Sequence, residues 1–175
     1  VRVKTDPNPA EGRPAGLYGN AFALANEKAI RAATVPIDPP TVTNLVAIAA
    51  PVGGYGKYTE AQIRDILVTA FSGFSAARLE TDRLKGPGSP LVIHTGFWGC
   101  GAFGGNRELM ALLQVAAAGM AGADRLVFHA HTGAGIFGRA VDKLRAWGAG
   151  GPVPVADFVS AAAGEGYAWG VSDGN

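Results

Sequence analysis

The sequence predicts an α/β domain with mainly parallel strand pairing. Two short, almost wholly apolar runs at 44–50 and 91–95 read as strands buried on both faces, and a third at 126–130 follows a turn. Stretches with apolar residues at helical spacing lie between and after them, and strands alternating with helices at this interval need crossover connections. The third observation is a glycine-dense segment, with Gly96, Gly99, Gly101, Gly104 and Gly105 falling within ten residues. One glycine at positive φ is enough to end a strand, so the excess predicts a loop whose backbone approaches something closely.

Residues 1–16 hold three prolines, several charges and little apolar periodicity, so they read as an extended arm or linker with little regular structure. Residues 17–175 read as one domain. Phe22, Leu24, Ala25, Ile30 and Ala33 predict a helix over 17–33, and Pro36, Pro39 and Pro40 forbid its continuation into the strand at 44–50. Thr59 with Gln62 three residues later forms a capping box, after which Ile63, Ile66, Leu67, Ala70, Phe71 and Phe74 trace one helical face to about Leu79.

The linker 85–90 leads to the strand 91–95 and then to the glycine loop. Asn106 is the expected N-cap of the next helix, with Glu108 in its first turn ahead of Leu109, Met110, Leu112, Leu113 and Val115. After the strand at 126–130 a helix runs to about Trp147. Residues 148–154 break the chain, 155–163 form a last short helix, and 164–175 are expected to be loose except where Tyr167 and Trp169 pack.

A chain of 175 residues with 48% hydrophobic and 17% charged content can bury a sizeable core. Lys and Arg total 15 against 14 Asp and Glu, so no strong field selects nucleic acid or an acidic membrane, and an anionic ligand must be held locally. No apolar run approaches the length of a membrane span, and the charged, Pro-rich start is unlike a signal peptide. The single Cys100 cannot form an internal disulfide, which fits a reducing compartment and makes the cytoplasm the expected location. Because the chain opens on Val1, a processed or partial sequence is expected.

A strand, a glycine loop and a helix start, in that order, gather unpaired backbone N–H groups with the positive end of a helix dipole behind them. That is an anion site, most simply one for phosphate. It follows neither the Walker loop nor the dinucleotide glycine spacing, and the competing reading is a tight connection in which Trp98 and Phe103 fill the core. A thiolate nucleophile at Cys100 is the weaker alternative, since no His is placed beside it by sequence. His94, His129 and His131 have no carboxylate or Cys at ligand spacing, so no metal site is expected.

The run Thr95-Gly96-Phe97-Trp98-Gly99-Cys100-Gly101-Ala102-Phe103-Gly104-Gly105-Asn106 resembles the signature near the C-terminal end of the poly(ADP-ribose) glycohydrolase catalytic domain. Family members usually carry Asn at the position of Phe97 and Asp at that of Asn106. The resemblance extends over roughly 17–144, with 44–50 similar to the strand before the family's penultimate long helix. It implies a macrodomain-like three-layer α/β/α fold with a mixed, mainly parallel sheet, of which this chain is the C-terminal half.

It also implies that Gly96, Phe97, Trp98, Gly99, Cys100, Gly101, Ala102, Phe103 and Gly104 wrap the diphosphate of ADP-ribose, the absent Cβ atoms letting main-chain N–H groups reach phosphate oxygens. The family's adenine-stacking aromatic falls at Ala130, leaving that role open to Phe128 or Phe137, and Tyr18 is the nearest equivalent of a tyrosine that closes over the ligand. No cofactor is implied. Cleavage of the ribosyl bond needs a carboxyl group, and the family's Gly-Gly-Gly and Gln-Glu-Glu signature occurs nowhere in residues 1–175. The expected partners are therefore ADP-ribose or an ADP-ribosylated protein, together with a second polypeptide corresponding to the domain's N-terminal half. A non-catalytic ADP-ribose reader is the alternative.

Overall fold

The computed structural model describes residues 2–3, 8–11, 16–17, 19–42 and 44–173. Contacts divide the chain into two compact units, one within residues 1–45 and one spanning Val46–Asp173. In the first, β1 (Arg2–Val3) pairs antiparallel with β2 (Thr34–Val35), and Pro9–Glu11 form a 3-10 turn. The arm expected to lack regular structure thus contributes both a strand and a turn. The helix expected over 17–33 is split into α1 (Asn20–Ala23) and α2 (Glu27–Ala33). Asn26 explains the break: its side chain accepts the Ala29 N–H at 2.9 Å and restarts the helix as an N-cap.

The second unit begins with a segment without helix or strand and then α3 (Glu60–Lys85). Its start is the expected capping box: Thr59 Oγ1 accepts the Gln62 N–H at 3.2 Å while Gln62 Oε1 accepts the Thr59 N–H at 3.0 Å. The helix runs two turns past Leu79 because Arg78 pairs with Asp82 at 2.7 Å and donates to the Ser89 carbonyl, while Arg83 pairs with Glu80. It stops at Gly86, whose φ of 97° few other residues adopt.

The sheet of this unit is β3 (Val92–Gly96) and β4 (Arg125–His129), parallel, with Val92 opposite Arg125 and Gly96 opposite His129. The connection between them is α4 (Arg107–Met120), and α5 (Ala134–Gly148) and α6 (Val155–Gly164) follow β4. The core lies among α3, α4 and α6. Leu109, Met110, Leu112 and Leu113 of α4 are wholly buried, as are Ile63 of α3 and Val159 of α6. Each such side chain contributes roughly 1.5–3 kcal/mol through apolar burial.

The strand expected at 44–50 does not form. Among the described residues no strand pairs with this segment, and it has no regular secondary structure, with Leu45 87% and Val46 48% exposed. Its apolar run met the pattern of a doubly buried strand, but a strand exists only where a neighbour takes its N–H and C=O groups. β3 and β4 each pair only with the other among the described residues, so each keeps one unpaired edge.

Candidate functional site

Past Gly96 the chain folds back on itself. Trp98 donates to Gly96 O at 2.8 Å, Cys100 to Phe97 O at 3.1 Å, Gly104 to Gly101 O at 3.0 Å and Gly105 to Gly99 O at 2.9 Å. Several glycines serve this shape directly. Gly99 and Gly104 sit at φ 72° and 62°, and a Cβ on Gly105 would lie 2.7 Å from Gly99 O. The N–H groups of Gly99, Gly101, Ala102 and Phe103 donate to no partner among the described residues. From Gly96 to Ala102 the loop is half-buried, Phe103 is 45% exposed, and Gly104 is buried.

The helix behind the loop offers less than its position promised. Asn106 Oδ1 accepts the N–H groups of both Glu108 and Leu109 at 3.1 Å, and its carbonyl accepts that of Met110 at 2.9 Å. Most donors of the first turn are therefore used by the helix's own cap, and those open to a ligand lie in the loop.

Three further supports hold the loop; sequence reasoning missed the first two and anticipated of the third only that Tyr167 and Trp169 pack. Gln114, wholly buried, donates to Gly96 O and Met110 O, both at 3.0 Å, and accepts from the Thr95 hydroxyl, fixing the strand end against α4. Tyr58 OH accepts the Asn106 N–H at 3.0 Å. The segment 167–173, expected to be mostly loose, is a strap along the loop. Tyr167 O accepts from Tyr58 N–H, Trp169 stacks on Tyr58 at 4.2 Å, Gly170 donates to Gly104 O at 2.7 Å, and Asp173 donates to Gly101 O at 3.3 Å. Legible signals existed: a Gln inside the apolar run of α4, and an aromatic pair between Gly166 and Gly170.

The aromatic side chains form a separate cluster. Phe97 meets Phe128 edge-on at 5.1 Å and Phe128 stacks on Phe137 at 4.6 Å, while a Cβ on Gly133 would overlap the Phe97 ring. Arg107 lies over Phe97, its guanidinium carbon 5.3 Å from the ring centroid. Ala130 is half-buried and accepts the Gly133 N–H at 2.7 Å, at the turn His131–Gly133. Tyr18 lies outside the described residues.

Cys100 does not have the setting of a nucleophile. Burial pushes its thiol up to about 12, against the lowering effect of the Arg107 charge, and its Sγ sits 3.5 Å from Trp98 O. His94 Nδ1 and His129 Nε2 approach to 3.1 Å, but no group of three or more His, Cys, Asp or Glu converges among the described residues. Glu108 is engaged by Arg139 at 2.8 Å and Lys143 at 3.2 Å. Burial alone would raise its pKa, yet these two cations hold it below the ordinary glutamate value.

A parallel strand that breaks into a self-closed glycine loop with free main-chain donors, backed by a self-capped helix, is the strand–loop–helix unit of an α/β domain. The family model described as "Poly (ADP-ribose) glycohydrolase (PARG), Macro domain fold" matches residues 16–135, more than half of the chain and all of that loop. The chain belongs to this family, as a C-terminal region of its macrodomain-type catalytic domain. The strap at 167–173 and α6 lie beyond the matched residues.

Proposed function

We propose that this chain is the ADP-ribose-binding half of a glycohydrolase that cleaves the ribosyl bonds of ADP-ribosylated substrates. The observation that carries the reading is the set of unpaired N–H groups at Gly99, Gly101, Ala102 and Phe103, within the loop that the family match covers. Such a set binds the diphosphate through main-chain contacts. The acid is supplied from outside the chain. Glu108, two residues past the loop's end at Asn106, is held ionised by Arg139 and Lys143 and so cannot give a proton to a leaving oxygen near neutral pH. The proposed source is a second polypeptide, the N-terminal half of the domain, adding a strand at an open sheet edge.

A second reading, a non-catalytic ADP-ribose reader, is favoured by the lack of a Gln-Glu-Glu segment in residues 1–175. Calorimetry with ADP-ribose, followed by hydrolysis assays on an ADP-ribosylated protein with and without the upstream half, separates the two. Binding with hydrolysis only in the presence of the upstream half supports the glycohydrolase; binding without hydrolysis in either case supports the reader. Absence of binding removes both. Within that experiment Gly101→Val should abolish affinity, and a folded Gly101→Val protein that binds as wild type would refute the placement of the diphosphate. Gly104 is the poorer probe, because a Cβ there would already lie 2.8 Å from Gly170 O without any ligand.

A further inference from the structure

We propose that Arg107 is the cation of the ligand loop, pairing with the phosphate charge of an ADP-ribosyl ligand. The assignment rests on the reading of the loop given above and names the side chain that completes it. Main-chain N–H groups carry only partial charges, whereas a diphosphate carries full negative charges that a guanidinium can meet through two parallel N–H bonds.

The position of Arg107 is unfavourable for the helix alone. It is the first residue of α4, and a cation in a first turn opposes the helix dipole. No carboxylate compensates it: among the described residues Arg107 enters no ion pair, and its neighbour Glu108 is taken by Arg139 at 2.8 Å and Lys143 at 3.2 Å. An uncompensated cation at the positive end of a dipole is stabilised by an anion in front of it.

The side chain is also held at the loop. Its guanidinium carbon lies 5.3 Å from the Phe97 ring centroid, and that ring is fixed edge-on to Phe128 at 5.1 Å and closed in by the bare backbone of Gly133. Stacking on an aromatic face leaves the guanidinium edge, where its donors are, open to a ligand. The Arg107 charge reaches the middle of the loop, since it acts on the Cys100 thiol against the effect of burial.

The test compares ADP-ribose affinity of wild type, Arg107→Gln and Arg107→Lys at about 0.01 M and about 1 M salt, where screening lengths are roughly 30 Å and 3 Å. Arg107→Gln should weaken binding about tenfold at low salt, the value for one charged hydrogen-bonded contact, and much less at high salt. Arg107→Lys should recover part of the loss by keeping the charge while losing the planar stack. Equal affinity of wild type and Arg107→Gln at low salt, or a loss just as large at high salt, overturns the assignment while leaving the loop reading intact. Absence of ADP-ribose binding by wild type at both salts would remove the loop reading, and the assignment with it.

Discussion

At the scale of single residues the loop depends on groups that are themselves buried behind it. Gln114 is an amide in an otherwise apolar helix face, and its buried position is tolerable only because its donors meet Gly96 O and Met110 O and its oxygen takes the Thr95 hydroxyl. Gln114→Leu keeps the volume and leaves the Thr95 hydroxyl and Gly96 carbonyl without that partner, so urea unfolding should show a loss of about 1–3 kcal/mol. Adding Thr95→Val removes one orphaned group and should return part of the loss. A double variant no more stable than Gln114→Leu alone would mean that the hydroxyl is not the group being satisfied. The glycines divide in a similar way: Gly99, Gly104 and Gly105 are required by the loop's own turns and contacts. Part of the glycine density that reads in the sequence as a ligand loop is therefore accounted for by packing.

At the scale of elements, what was legible was whatever carried a local signal. Thr59 and Gln62 announced the start of α3, Asn106 that of α4, and the apolar runs of β3 and β4 lay within one residue of their observed ends. What was not legible depended on distant partners. The run 44–50 has the composition of a buried strand and no described strand paired with it, and the strap at 167–173, apart from the packing expected of Tyr167 and Trp169, reads as loose because its contacts lie far back in sequence, at Gly56, Tyr58 and Gly101 to Asn106. The strap's anchor is Trp169, which stacks on Tyr58 at 4.2 Å and lies where a Cβ on Gly54 would have to be. Trp169→Ala should cost about 2 kcal/mol, below the usual cost at a fully buried site because the residue is only half-buried. Hydrogen exchange should locate the effect: the paired N–H groups of Gly104 and Gly105 should lose protection first. Unchanged protection there would make the strap an independent element rather than a support of the loop.

At the scale of the whole molecule two features stand out, a two-stranded sheet with free edges and an apolar segment at 44–50 that pairs with no strand among the described residues. β3 and β4 satisfy each other along one side only, and 44–50 exposes Leu45 and Val46 with no ladder among the described residues. Unpaired strand edges and exposed apolar segments are each features that recruit another strand. If the proposed upstream half adds a strand between 44–50 and β3, both sets of amides become protected together, because one inserted strand serves a neighbour on each side. The measurement is hydrogen exchange on the chain alone and on an equimolar mixture with a polypeptide carrying the family's upstream region. In the chain alone, amides at 44–50 should exchange nearly as fast as in free peptide; in the mixture they and the free edge of β3 should slow in step, together with a one-to-one complex on gel filtration. Protection that appears only as the chain's own concentration rises would assign the edge to a second copy of this chain instead. Protection of 44–50 in the dilute chain alone would show that the edge is already filled and would end the case for an inserted strand.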